Sequence, residues 1–242
     1  MSATVLVLVC ARIGRLEKRP FASWEDEGPG WAMRAECFAQ SRPQDGRQQT
    51  LNQDAFVIGR QPVPWMALCD GAGSAQSVAS RALGLLSGWV QGASLGHILR
   101  DATWDGWARS LDSALMGGPE STLVASAVVG DQVIGVAVGD SRAYVVPFEG
   151  SLRLLTASAF RARLGSGETQ PTVFRETLAP RDVLLLLSDG AWTPLGAVGL
   201  ERTVRSVALK PFADLPPTIL DAAARRGRTD DMTAVTLRLV RS

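Results

Sequence analysis

From Val183 to Leu187 the chain reads "VLLLL", apolar at every position, and the run ends on the polar turn "SDG". Successive side chains of a strand point to opposite faces, so an unbroken apolar run needs cover on both faces rather than one. Such a strand belongs in the middle of a layered protein. With 242 residues, 46% of them hydrophobic, the chain can bury a sizeable core within a single domain.

Other segments supply the layers. "AMRAECFAQS" alternates like a strand, "MALC" before Asp70 reads as a short buried strand, and "STLVASAVVGDQVIGVAVGDSRAYVV" reads as three strands separated by turns. Val78, Ala82, Leu85, Leu86 and Trp89 follow helical spacing, as do Trp104, Trp107, Ala108, Leu111 and Leu115. Ser74 is placed to cap the first of these helices. Asp214 is placed to cap a later one that carries Pro216 and Pro217 in its first turn and closes near Gly227, before a last strand "MTAVTLRLV". The expected fold is α+β, two packed sheets with helices outside them. Periodicity leaves the strand order open.

Arg19 to Trp31 is rich in Pro, Gly and charge, which marks residues 1–30 as an extension and linker and 31–242 as the folded domain. The apolar opening before Cys10 is too short to span a bilayer and lacks a basic start, so an edge strand is expected there. Cys10, Cys37 and Cys69 are an odd set without a CxxC pair, each among apolar residues, which suits reduced thiols in the cytoplasm. Lys plus Arg number 25 and Asp plus Glu 24, a formal net charge of +1, so no global field favours nucleic acid or an acidic membrane. A monomer is expected, with its partner recognised by local sites.

Acidic residues recur beside strand-like runs: Asp54 in "NQDAF", Asp70 in "CDGAG", Asp140 in "GDSR", Asp189 in "LSDGAW", and Asp230 with Asp231 in "TDDMT". Any one Asp-Gly pair is more often only a turn. Turn duty does not explain why Asp-Gly follows a buried strand in both "MALCDG" and "LLLSDG". Carboxylates resist burial unless a partner offsets their desolvation, and a divalent cation is a common one. An all-oxygen donor set suits Mg²⁺ or Mn²⁺ and disfavours zinc, which draws on His and Cys; the single histidine, His97, reads as a surface or boundary residue.

Taken in order, "NQDAF", "CDGAGS", "STLVAS" with "VAVGDSRAYVV", "DVLLLLSDGAW" and "TDDMTAV" resemble the motifs of the protein phosphatase 2C family, the metal-dependent PPM-type serine/threonine phosphatases. The likeness is to a bacterial-like branch with Gln-Asp and Asp-Gly-Ala-Gly-Ser loops, and it spans Trp31 to Val240. It implies a four-layer α-β-β-α sandwich of two antiparallel sheets flanked by helices, with metals in a cleft at one end. It also implies roles. Asp70 would bridge two Mn²⁺ or Mg²⁺ ions and the Gly71 carbonyl would bind one of them. Asp189 and Asp230 would complete the other, Asp54 would hold metal-bound water or a metal directly, and Asp140 would serve a weaker third site. The implied activity is hydrolysis of phosphoserine or phosphothreonine by water activated between two metals, on phosphoprotein substrates of a serine/threonine kinase.

The chain departs from the family pattern in places. Gln49 stands where a phosphate-gripping arginine is expected, and Arg47 is the nearest replacement in the same loop, the alternative being a solvated arginine. Ala72 stands where some relatives have a general-acid histidine, and Asp231 replaces the usual Asn. The stretch from Ala157 to Pro171 is short where many bacterial relatives carry a longer flap. Gln49 favours a competing reading, a pseudophosphatase that binds phosphoproteins without turnover, whereas Asp70, Asp189 and Asp230 oppose it. A structural protein whose acidic loops are only turns is a third reading.

Overall fold

The computed structural model of the chain describes residues 33–44, 52–72, 76–156, 162–207, 210–227 and 230–241. The expected extension with Cys10, the loop holding Arg47 and Gln49, and the proposed cap Ser74 lie outside them. The alternating segment becomes β1 (Met33–Arg42), followed by β2 (Asp54–Gly59) and β3 (Trp65–Asp70). The helical patterns form α1 (Gln76–Gly92) and α3 (Asp101–Leu115), separated by a single turn, α2 (Leu95–Ile98), on which His97 is exposed. The three expected central strands are β4 (Leu123–Val129), β5 (Gln132–Val138) and β6 (Arg142–Val146). After the short β7 (Arg153–Leu154) and β8 (Thr172–Thr177) comes the apolar run, β9 (Val183–Leu187). The remaining elements are α4 (Asp189–Trp192), α5 (Gly196–Ser206), α6 (Leu215–Ala224) and β10 (Met232–Arg241).

The strands form two five-stranded antiparallel sheets, β1-β10-β9-β6-β7 and β2-β3-β4-β5-β8. β9 is the middle strand of the first, buried at every position as its composition demands. On its inner face Leu184 and Leu186 join Val235 and Leu237 against Met66, Leu68 and Val124 of the second sheet. On its outer face Leu185 and Leu187 pack with Leu200, Ile219 and Leu220 of α5 and α6. The outer face of the second sheet, with Trp65 and Ala67, is covered by Ala82 and Leu86 of α1 and Trp104 and Leu111 of α3. The layers therefore run α-β-β-α, as expected. Each fully buried leucine contributes about 1.5–3 kcal/mol.

Some expectations change. Asp214 stands at the N-cap position of α6, with proline at its start, yet its side chain makes no capping hydrogen bond. Its backbone is already helical in the preceding 3-10 turn, where a side chain cannot fold back onto the next amides. Asp54 and Asp70 are the first residue of β2 and the last of β3, so they belong to strands rather than loops. Cys37 and Cys69 are buried free thiols. Among the described residues no helix is long and apolar enough to cross a membrane.

Candidate metal centre

The register of β2 and β3 sets Asp54 directly opposite Asp70. The turn after β5 carries Asp140, the end of β9 leads into Asp189, and Asp230 precedes β10, so strand ends from both sheets bring acidic residues to one end of the sandwich. Asp70, Asp140 and Asp189 each offer a carboxylate oxygen, and these oxygens lie within 4.8 Å of one another. Asp230 lies close enough for its charge to act on both Asp70 and Asp189.

The main chain of Asp70 is held so that only its carboxylate remains to act. Its N–H donates to the Thr122 hydroxyl at 3.0 Å, and its carbonyl accepts from the Thr122 N–H at 2.8 Å and the Ser121 hydroxyl at 3.1 Å. The Thr122 hydroxyl is shared with Ser141 at 2.7 Å, which ties the Asp70 strand to the turn carrying Asp140. Gly71 is buried next to it and donates its N–H to the Gln53 carbonyl at 3.1 Å.

Asp54 is only 1% exposed, and one of its oxygens accepts the Ser188 hydroxyl at 2.8 Å. Ser188 in turn accepts the Thr233 N–H at 2.8 Å, and the Thr233 hydroxyl donates to Ser41 at 2.6 Å. Ser41 also accepts the Asn52 amide at 2.7 Å, and the Asn52 carbonyl oxygen accepts the Asp54 N–H at 3.0 Å. This buried polar network joins β1, β2, β9 and β10 beneath the carboxylates, each link satisfying a group that would otherwise be costly to bury.

Asp231, adjacent to the expected ligand Asp230, does a different job. It is buried, and its two oxygens accept the N–H groups of Gln44 and Gln53 at 2.6 Å each, pinning two chain segments beside the site. Asp230 accepts the Asp231 N–H at 2.8 Å. Gly190 at the start of α4 lets this turn approach, for a Cβ there would lie 2.0 Å from the Asp231 carbonyl oxygen.

Gathering carboxylates without a cation makes their ionisation costly. Burial, then the charges of Asp54 and Asp189, push Asp70 up to about 9. Burial likewise raises Asp54 to about 7, against the lowering effect of the Thr233 and Ser188 hydroxyls. Asp189 is raised as well, by burial first and then by Asp140 and Asp230. One oxygen each of Asp54 and Asp189 is buried without a hydrogen-bond donor among the described residues. Unpartnered, mutually repelling oxygen donors fit a hard divalent cation, which satisfies the lone pairs and cancels the repulsion together.

The structure thus brings Asp54, Asp70, Gly71, Asp140, Asp189 and Asp230 to one end of the fold, while Arg47 lies outside the described residues. Sequence reasoning missed the supports. Ser188 and Thr122 stood within quoted motifs, but nothing local marks them as partners of Asp54 and Asp70. It also missed Arg163, whose guanidinium reaches Asp140 at 3.5 Å, and Trp192, whose indole N–H donates to the Asp140 carbonyl at 3.0 Å beneath the stacked guanidinium of Arg142. Ala72 donates its N–H to the Glu120 carbonyl at 2.8 Å and brings no titratable group.

No protein-family model matches the chain, and no curated protein matches it significantly. Solved structures do. The serine/threonine phosphatase of S. agalactiae superposes with a TM-score of 0.73 at 20% identity, covering 84% of this chain and 99% of that one. The catalytic domain of the serine/threonine protein phosphatase PstP, in complex with 2 manganese ions, gives 0.71 at 22% identity, covering 86% and 99%. Stp1 from Staphylococcus aureus, a serine/threonine phosphatase, gives 0.72 at 21% identity, covering 83% and 94%. The chain has the fold of bacterial serine/threonine phosphatases of the 2C type.

Proposed function

We propose that the chain is a metal-dependent phosphatase that hydrolyses phosphoserine or phosphothreonine in proteins. The observation that carries this reading is the convergence of Asp70, Asp140 and Asp189 oxygens within 4.8 Å, beside buried unpartnered oxygens, at one end of a phosphatase fold. Asp70, the Gly71 carbonyl, Asp189 and Asp230 would hold two Mn²⁺ or Mg²⁺ ions, with Asp70 the ligand common to both. Two such ions, when bound, would activate water near neutral pH and offset charge on the phosphoryl oxygens.

The chain's own residues then have positioning work. Ser188 and the network behind it hold the Asp54 carboxylate in one orientation. Asp231 holds Gln53, and with it the entry to β2, against the turn that bears Asp230. Arg47 is proposed to grip the substrate phosphate in place of Gln49. Ala72 contributes no proton donor to the leaving group, so protonation there would fall to water held at the metal centre or be absent. The substrate class is a phosphoprotein made by a serine/threonine kinase.

The test is hydrolysis of p-nitrophenyl phosphate and of a phosphothreonine peptide by the purified chain, with Mn²⁺, with Mg²⁺, with zinc and after chelation. Turnover that needs Mn²⁺ or Mg²⁺ and is poorly restored by zinc is expected. Mn²⁺ binding without turnover would replace the enzyme with a phosphoprotein-binding module, and full activity after chelation would overturn the metal chemistry.

A further inference from the structure

We propose that the Arg163 guanidinium takes the place of a third divalent ion at Asp140, so that the cleft holds two metal ions and one built-in cation. The inference rests on the metal reading above and deepens it. Asp140, one of the three converging carboxylates, has a side chain 47% exposed, and Arg163 reaches its Oδ1 at 3.5 Å from a side chain only 22% exposed. The Arg163 charge also acts on Asp70 and Asp189, opposing their mutual repulsion. It therefore addresses the same carboxylates that a third ion at Asp140 would meet.

A solvated arginine on a loose loop could make such a contact by chance, but the backbone of Arg163 and of the turn that follows it is held by hydrogen bonds. Leu164 is wholly buried and exchanges two backbone hydrogen bonds with Ser121, at 3.1 and 2.8 Å. The Ser121 hydroxyl donates in turn to the Asp70 carbonyl, so the arginine and the central carboxylate share a support. Beyond it, the N–H groups of Gly165 and Gly167 donate to one buried oxygen of Asp112, at 2.7 and 3.1 Å. The Arg163 carbonyl accepts the Thr169 hydroxyl at 3.0 Å and the Ser166 N–H at 3.2 Å. Gly165 adopts φ +94°, and a Cβ there would meet the Leu115 carbonyl oxygen at 3.1 Å, so the turn that presents Arg163 demands glycine.

A guanidinium cannot be deprotonated and cannot be chelated away. It would therefore supply constant positive charge at Asp140, where an exchangeable ion would come and go with metal concentration. A resident positive charge beside the Asp140 carboxylate repels a second cation and so lowers its affinity there.

Counting Mn²⁺ equivalents bound to the full chain, by calorimetry and by the paramagnetic signal of free ion, tests this without reference to turnover. The parent should bind two. Arg163→Ala and Arg163→Gln should each bind a third, which Asp140→Asn in the Arg163→Ala background should remove; Arg163→Gln is read if the alanine variant fails to fold. Three ions in the parent, or two in both parent and folded variants, would overturn the inference and leave the metal reading intact. No Mn²⁺ bound by parent or variants would overturn both.

Discussion

Asp54 and Asp70 face each other across the β2–β3 ladder, two carboxylates side by side where the strands leave the sheet. Like charges directly opposite in a sheet are destabilising, and here Asp54 is wholly and Asp70 partly removed from water. An arrangement so costly to the bare protein is the kind that a bound cation turns into a stable one.

Asp70→Asn should abolish turnover and leave the fold intact. The amide keeps the shape but loses the charge proposed to hold both ions, and a loss of about 10³-fold or more in kcat is expected. Steady-state kinetics beside circular dichroism check this, and a folded variant with most of its activity would remove the bridging role from Asp70.

The metal-free protein should lose stability as pH rises through neutrality. In the folded, metal-free chain burial and the repulsion of neighbouring carboxylates raise Asp54 to about 7 and Asp70 to about 9, whereas an unfolded aspartate releases its proton at about 3.9. Between these values the folded state binds more protons than the unfolded one, so the stabilisation is full below about pH 4 and fades as pH climbs through the folded values. Thermal melts of chelated protein should show this decline, smaller in Asp70→Asn, with Mn²⁺ offsetting it. A pH dependence identical in parent and variant would sink the assignment.

Ser188→Ala should weaken both fold and metal binding. It removes the donor to Asp54 at 2.8 Å and strands the buried Thr233 N–H, a cost of about 1–3 kcal/mol in stability. Denaturant unfolding measures the first effect and Mn²⁺ titration the second; unchanged Mn²⁺ affinity would show that Asp54 is oriented without Ser188.

Gly190→Ala should displace the turn carrying Asp230 and Asp231. The added methyl would sit 2.0 Å from the Asp231 carbonyl oxygen and 3.3 Å from the Asp230 Cβ, and relief of such overpacking costs about 1–3 kcal/mol. A lower melting temperature together with reduced Mn²⁺ affinity is expected, and a variant matching the parent in both would mean the turn can yield without moving Asp230.

Much of the framework was legible along the chain because it depends on local periodicity. The uniform run Val183–Leu187 announced a strand covered on both sides, and the spacing of Trp104, Ala108 and Leu111 announced a helix face. The acidic residues were legible too, through their repeated position at strand ends. Elements without a clean period escaped notice: edge strand β8 buries only Phe174 well, and α5 has Gly196 and Gly199 in its first turns. Only the tertiary structure decided which strands are neighbours, and with that which side chains serve the carboxylates. Ser188 and Asp54 are 134 positions apart, Gln53 and Asp231 are 178 apart, and Arg163 reaches Asp140 from a separate loop. A residue's own sequence neighbourhood tells which face it must bury; the partner on that face is chosen by packing and by the register of distant strands, which no local pattern encodes.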